Sequence, residues 1–231
     1  MRHKALVSWS TGKDSALALY EASKDPSLEI VGVMTTLSSA FGRVSMHGVR
    51  EELLDAQLDR LGLPCLKVDI PSPCSNAIYE QMMAAALEMA RDWGVTHIVF
   101  GDLFLEEIRA YREEKLSETG FQPVFPLWGR ETRQLAQDML NLGFGAALTC
   151  VDPRKLDRSF AGRNFDAALL ASLPPGVDPC GENGEFHTFV TQGPIFSKPI
   201  EVLRGEVVER DHFVFADLRP LQSCYRPPSR T

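Results

Sequence analysis

Ser8-Trp9-Ser10-Thr11-Gly12-Lys13-Asp14-Ser15 stands between two unlike segments. Before it runs Ala5-Leu6-Val7, short, apolar and ending in a β-branched residue, as a buried strand does. After it runs Ala16-Leu17-Ala18-Leu19-Tyr20, composed largely of helix formers. A strand therefore ends, a turn of small residues follows, and a helix begins. Such a turn aims several backbone N–H groups at one point in front of the positive end of a helix, and Lys13 adds a mobile charge. The expected guest is a phosphate.

Two familiar phosphate loops do not fit. A Walker A loop needs Gly, four residues, then Gly-Lys-Ser/Thr; here Lys13 is followed by Asp14 and the position five before Gly12 is Val7. A dinucleotide fingerprint needs three spaced glycines, and only Gly12 is present. What remains, Ser-x-Gly-Lys-Asp-Ser, resembles the loop of the PP-loop (N-type) ATP pyrophosphatases. That resemblance implies a grip on the β and γ phosphates of ATP and cleavage between α and β. A ligand-free helix cap is the plainer alternative.

The 231 residues suit one α/β domain, or one domain plus a smaller appendage, and 44% hydrophobic content is ample for a core. A net charge of −7 argues against a broad basic face for nucleic acid, so nucleic acid is not an expected partner. The five cysteines, Cys65, Cys74, Cys150, Cys180 and Cys224, form no C-x-x-C pair, which predicts reduced thiols and a cytoplasmic protein. The first residues are strand-like, without the apolar stretch of a signal peptide, and no run approaches membrane-spanning length.

Further along, residues 29–36 read as a second buried strand, making a right-handed βαβ unit with the first. A polar loop at 37–45 leads through Met46-His47-Gly48-Val49-Arg50 into a helix with Leu53, Leu54, Leu58 and Leu61 on one face. Strands are expected at 66–70, 97–100, within 121–127 (an edge, given Pro123 and Pro126) and at 146–151. Helices are expected at 76–93, 105–118 and 132–142. This alternation predicts a Rossmann-like (HUP-type) α/β fold, a parallel sheet with helices on both faces. After Val151 the pattern changes to a short helix at 165–173 and strands at 186–191, 202–209 and 212–218. The expected division is a nucleotide domain at 1–151, a smaller α+β portion at 152–221, and a disordered tail at 222–231.

Two further stretches sharpen the resemblance. One is Gly101-Asp102, followed by Arg109, Glu113, Gly120 and Phe125-Pro126-Leu127-Trp128. The other is Asp178-Pro179-Cys180-Gly181-Glu182-Asn183-Gly184-Glu185-Phe186-His187-Thr188-Phe189, its Gly-Glu-Asn-Gly-Glu-Phe-His-Thr core being the most specific part. With the loop at 10–15 they are similar to the diphthine–ammonia ligase family of PP-loop ATPases, in order, to about Phe196. That family amidates the carboxylate of diphthine, a modified histidine on a translation elongation factor, using ATP and ammonia. The resemblance therefore implies ATP, magnesium, ammonia and a carboxylate-bearing acceptor, either a small molecule or a modified protein side chain. The family loop often reads Ser-Gly-Gly-Lys-Asp-Ser. The form here is similar to a bacterial branch, and bacteria are not known to make diphthamide, so the ATP chemistry is implied ahead of the acceptor.

Acyl adenylation requires a triphosphate held in line with the attacking carboxylate, neutralised phosphate charge, and exclusion of water. Ser8, Ser10, Thr11, Gly12, Lys13 and Ser15 are expected at the phosphates, with Asp14 as the magnesium ligand or a helix cap. Met34 and Thr35, at the end of the second strand, meet adenine or belong to the sheet core. His47 and Arg50 close on phosphate or substrate, or start a helix. At the next strand end Gly101 admits a ligand and Asp102 binds magnesium or a ribose hydroxyl. Arg109 and Glu113, spaced i, i+4, face the substrate or pair with each other. Gly181, Glu182, Asn183, Gly184, Glu185, His187 and Thr188 are expected to hold the acceptor, with Glu185 and His187 on one face of a strand and acting with Lys13 and Asp14 in catalysis. Cys180 is a nucleophile or a buried bystander. Competing readings are a PP-loop tRNA-modifying enzyme, which would favour a basic domain and paired cysteines, and a non-enzymatic adenine-nucleotide sensor, for which the acidic motif is surplus. The sequence leaves the oligomeric state open, a homodimer included.

Overall fold

Ala5, Leu6 and Val7 are completely buried, which requires cover on both faces of their strand. The computed structural model, which describes residues 2–221, supplies it. Strand β1 (His3–Ser8) leads into helix α1 (Lys13–Lys24), followed by β2 (Leu28–Ser38), β3 (Arg43–Val44), α2 (Glu51–Leu61), β4 (Cys65–Ile70), α3 (Asn76–Asp92), β5 (His97–Val99), α4 (Glu106–Ser117), β6 (Gln122–Val124) and α5 (Thr132–Asn141). The sheet runs β4-β2-β1-β5-β6 with every neighbouring pair parallel. The short β3 lies antiparallel against the end of β2, Leu37 opposite Val44. The Pro-bearing β6 pairs with β5 alone, at an edge, where a missing donor costs no ladder bond.

Alternation along β1 separates the two cores. Ala5 and Val7 join Leu17 of α1, Leu53 and Leu54 of α2 and Leu135 and Met139 of α5. Leu6 faces the other way, with Ala86, Leu87 and Ala90 of α3 and Leu116 of α4. Each large aliphatic side chain so buried stabilises the fold by about 1.5–3 kcal/mol. The chain adds strands to one side of β1 and then crosses to the other, so the order reverses between β1 and β5. Parallel sheets bind ligands at the carboxyl ends of strands flanking such a reversal.

The remaining strands build a second, antiparallel sheet: β7 (Gly145–Val151), β8 (Asn164–Phe165), β9 (Phe186–Gln192), β10 (Val202–Arg210) and β11 (Phe213–Pro220), with α6 (Ala167–Ser172) following β8. Central β7 pairs with β9 on one side and with β8 and β11 on the other. Phe165, Phe186, Phe189 and Val190 from this sheet join the core that holds α1 and α2.

One expectation is corrected here. Residues 146–151, read as a further strand of the first sheet, are β7 and belong to the second. A run buried on both faces fits either sheet, and its main partner, β9, lies far along the chain. The division between sheets therefore falls between β6 and β7, ahead of the parting expected at 151. The tail expected at 222–231 lies outside the described residues. Among those described, no helix is long and apolar enough to cross a membrane.

Candidate functional site

The loop between β1 and α1 is fastened from behind. Thr11 adopts φ 70°, and its carbonyl accepts from Val190 N (3.0 Å) and from Gln57 Nε2 (3.1 Å). The same Gln57 amide donates to Val190 O (2.8 Å), while its oxygen accepts from Trp9 Nε1 (3.0 Å). Gln57 is fully buried on α2. It ties the strand exit, the loop turn and β9 into one unit. The amide was not anticipated from the sequence, although a polar residue three and four positions beyond Leu54 and Leu53 sits in the apolar stripe and needs partners there.

The first turn of a helix has N–H groups without intrahelical acceptors. In α1, Lys13 N donates to Thr188 Oγ1 of β9 (3.1 Å), drawing the helix start against the second sheet. The Lys13 side chain is 3% exposed. Its Nζ lies 2.8 Å from each oxygen of Asp14 and donates to the Cys180 carbonyl. The rings of Phe165 and Phe186 stand 5.6 and 5.5 Å from it. Burial works against the ammonium charge, but Asp14, with Cys180 and Asp178 beyond it, more than offsets this and raises the Lys13 pKa.

In front of this loop opens a cleft of about 800 Å³ at the carboxyl ends of β1, β2 and β5. It brings together Ser8, Ser10, Lys13, Asp14 and Ser15 from the loop, Met34 and Thr35 from β2, and His47 from the segment after β3. Gly101 and Asp102 follow β5, and Gly181, Glu182, His187 and Thr188 come from the second sheet and its entrance. Thr35 Oγ1, buried and without a hydrogen-bond partner, belongs to a lining residue. Thr11 and Gly12 form the loop beneath. A Cβ on Gly12 would stand 2.7 Å from His47 Cε1, so the absent side chain is what admits the imidazole. At Gly101 the close neighbour is α1 itself, with Asp14 C 2.8 Å from a Cβ.

The imidazoles of His47 and His187 pack 4.6 Å apart, and His47 Nδ1 lies 3.1 Å from Thr188 O. Burial, the neighbouring His187 and Lys13 push His47 down to about 3. Burial and Lys13 push His187 down to about 4. Both are neutral bases at physiological pH. Glu182 behaves oppositely: burial raises its carboxyl to about 7, against a hydrogen bond accepted from Leu103 N (2.7 Å).

Several expected residues lie elsewhere. Glu185 does not share the His187 side of a strand. It precedes β9 in the glycine-punctuated turn, where alternation does not hold. It is 3% exposed, and Oε1 accepts from Asp178 N (3.0 Å) and Asn183 Nδ2 (3.3 Å), so it shapes the turn from within. Asn183 and Gly184 sit in that turn outside the cleft lining. Arg50 gives both ends of its guanidinium to Asp217 (2.9 and 2.9 Å) instead of facing the cleft. Arg109 pairs with Glu113 (2.8 Å) and lies over the rings of Phe125 and Trp128; neither lines the cleft. Asp102 lines it, but both its oxygens accept from Arg112 (2.6 and 3.1 Å). Cys180 is buried, and burial raises its thiol well above its ordinary value, which leaves it unreactive. Tyr79, Met83 and Tyr111, unforeseen, carry the cleft outward between α3 and α4.

Residues 3–123 match the family model described as the diphthamide synthase N-terminal domain, which alone covers more than half the chain. The chain belongs to the diphthamide synthase family. Residues 131–219 match the diphthamide synthase C-terminal domain. The gap between the two matched regions falls where the first sheet gives way to the second. Among relatives, the diphthine–ammonia ligase of Bos taurus is 31% identical over 133 residues, covering 55% of this chain and 50% of that protein. The one from Schizosaccharomyces pombe is 32% identical over 101 residues, 42% of this chain and 17% of its own. That of Danio rerio is 25% identical over 184 residues, 73% of this chain and 72% of its own. The matched stretch thus spans half the length of the bovine relative or less in the yeast one, and more in the fish protein.

Proposed function

We propose that the chain is an ATP-dependent ligase that adenylates a carboxylate and passes the acyl group to ammonia, with diphthine, named in its relatives, as the acceptor. The observation that carries this reading is one cleft with two unlike walls. On one side stand the loop at 10–15 and buried, cationic Lys13. On the other stand Glu182 and the paired neutral imidazoles. A sensor needs only the first wall. A base-modifying enzyme would be expected to bring a basic groove and a reactive thiol, and Cys180 is neither exposed nor acidified.

In this reading the loop and Lys13 take the β and γ phosphates, and Met34 and Thr35 border the adenosine. The acceptor carboxylate oxygen attacks the α phosphorus and pyrophosphate leaves. Ammonia then attacks the acyl carbon, an amide forms, and AMP departs with that carboxylate oxygen. His187, neutral and at the cleft wall, positions the acceptor beside the loop. Glu182, whose carboxyl burial raises to about 7, faces the acceptor side and takes the proton released as the nitrogen bonds. The buried turn held by Glu185 keeps both in place.

Magnesium in this reading would be shared between the substrate phosphates and Asp14, whose oxygens face Lys13 Nζ. Magnesium is commonly held by one or two carboxylates together with substrate phosphates. Asp14 lines the cleft beside the loop and is its candidate ligand. When bound, the ion supplies charge neutralisation on the phosphates. A cytoplasmic setting accords with the unpaired Cys65, Cys74, Cys150 and Cys180.

Product analysis tests the reading. Purified protein with ATP, magnesium, ammonium and a diphthine-bearing acceptor is expected to yield AMP and pyrophosphate in an acceptor-dependent way. ADP and phosphate as the accumulating products would overturn it.

A further inference from the structure

Asp217 on β11 is a carboxylate gripped by three arginines. Arg50 binds it through Nε and Nη2 (2.9 and 2.9 Å), Arg43 through Nη2 (3.0 Å) and Arg219 through Nε (3.0 Å). The Asp217 side chain is 11% exposed. Two-point guanidinium contacts to a shielded carboxylate are stronger and more directional than ordinary surface pairs.

The placement of two of these arginines matters more than their number. Arg43 and Arg50 bracket the segment that delivers His47 to the cleft, and they bridge each other across its base. Inside the bracket Val44 N donates to Val49 O (2.8 Å) and Gly48 N to Val44 O (3.1 Å). Arg43 Nη1 donates to Gly48 O. Gly48, at φ 66°, lies flat on Phe215 of β11, with ring carbon Cδ1 2.8 Å from where a Cβ would be. Its tip is open at Met46, 72% exposed, while Ser45 N donates to Thr36 O of β2 (3.0 Å) and Val44 and Val49 are buried, so the first sheet holds its base. What holds the segment to the second sheet is Asp217, Phe215 and the His47 contact with Thr188 O.

We propose that Asp217 is a positioning residue for the cleft: through Arg43 and Arg50 it holds the 43–50 segment so that His47 stays between Gly12 and His187. This rests on the ligase reading only for its consequence in turnover. Asp217 touches no reacting group, and its influence passes through the two arginines to the imidazole. The arrangement also explains why Arg50 is turned away from the phosphates.

The test compares Asp217→Asn, Asp217→Glu and Arg43→Met/Arg50→Met by hydrogen exchange and by the ring C–H resonances of His47. Losing charge-assisted hydrogen bonds is expected to speed exchange of the Val44, Ser45 and Gly48 amides about ten- to a hundred-fold. The His47 resonances shift toward those of a solvated imidazole, while α1 and β1 exchange as before. Asp217→Glu restores much of the protection, and adding Asp217→Asn to the double arginine variant changes little more. Acceptor-dependent AMP formation falls about tenfold in Asp217→Asn. Unchanged exchange and resonances in Asp217→Asn overturn the proposal, as does loosening spread equally over β1 and α1. So does normal turnover with the segment released. If the wild-type protein makes no AMP, the ligase reading fails, and exchange with the His47 resonances still decides the clamp. Should Asp217→Asn not fold, the double arginine variant takes the same measurements with the same opposing outcomes.

Discussion

The side-chain amide of Gln57 donates to the main-chain carbonyl of Thr11 at 3.1 Å, joining the middle of α2 to the apex of the loop between β1 and α1. Thr11 holds a positive φ that a β-branched residue adopts reluctantly. The loop conformation is thus imposed by partners behind it. Gln57→Leu removes the donor to Val190 O and the acceptor for Trp9 Nε1 in a fully buried site. Each orphaned group costs about 1–3 kcal/mol. Urea unfolding is expected to show that loss, and calorimetry a weaker grip on ATP. Unchanged ATP affinity in a folded Gln57→Leu protein would separate the loop's shape from nucleotide binding.

Lys13 and Asp14 predict a coupled pair of effects. Lys13→Met deletes charge-assisted contacts, so ATP affinity falls about ten- to a hundred-fold. It also strips the Cys180 carbonyl and Asp14 of their donor, and the apo protein loses about 1–3 kcal/mol. Lys13→Met/Asp14→Asn regains part of that stability without regaining affinity. Calorimetric titration beside thermal unfolding checks both halves. Equal recovery of affinity and stability in the double variant would contradict the phosphate role of Lys13.

The two imidazoles predict a pH dependence whose sign is fixed. An unfolded histidine titrates near 6.5. His47 and His187 are lowered to about 3 and about 4, so below about pH 6.5 the unfolded chain binds protons that the folded chain refuses. These residues make stability fall as pH drops from about 6.5 toward about 4, and add no slope above that range. Asp217, whose burial is outweighed by its three arginines, is held well below the ordinary carboxylate value and loses its contribution only at lower pH. Ring resonances of His47 and His187 are expected to stay unmoved from about pH 8 to about pH 5. A midpoint near the ordinary value for either residue would mean that the cleft is wetter than its packing indicates.

Much of this was legible in the sequence because it is local. The loop at 10–15 declares itself through small residues between a strand run and a helix run, and the Gly181–Thr188 motif through its glycines and titratable groups. What was not legible depends on partners distant in sequence. Residues 146–151 carry an apolar run that suits either sheet, and only pairing with Phe186–Gln192 assigns it. Arg50 reads as a phosphate contact until Asp217, far along the chain, claims it. Glu185 reads as a strand position facing the substrate until the turn around Gly184 folds it inward beneath Asp178. Gln57 alone left a local trace, a polar side chain on an apolar helical face.

The central claim is that a carboxylate is activated on ATP within this cleft, and oxygen transfer tests it most directly. The acceptor is prepared with ¹⁸O in its carboxylate and turned over once with ATP, magnesium and ammonium, and the AMP is examined by mass spectrometry. Attack of the carboxylate on the α phosphorus places an acceptor oxygen in the AMP phosphate. The account predicts labelled AMP in proportion to amide formed. Unlabelled AMP accompanying amide formation would contradict it, because the acyl group would then have been activated by some route other than its adenylate.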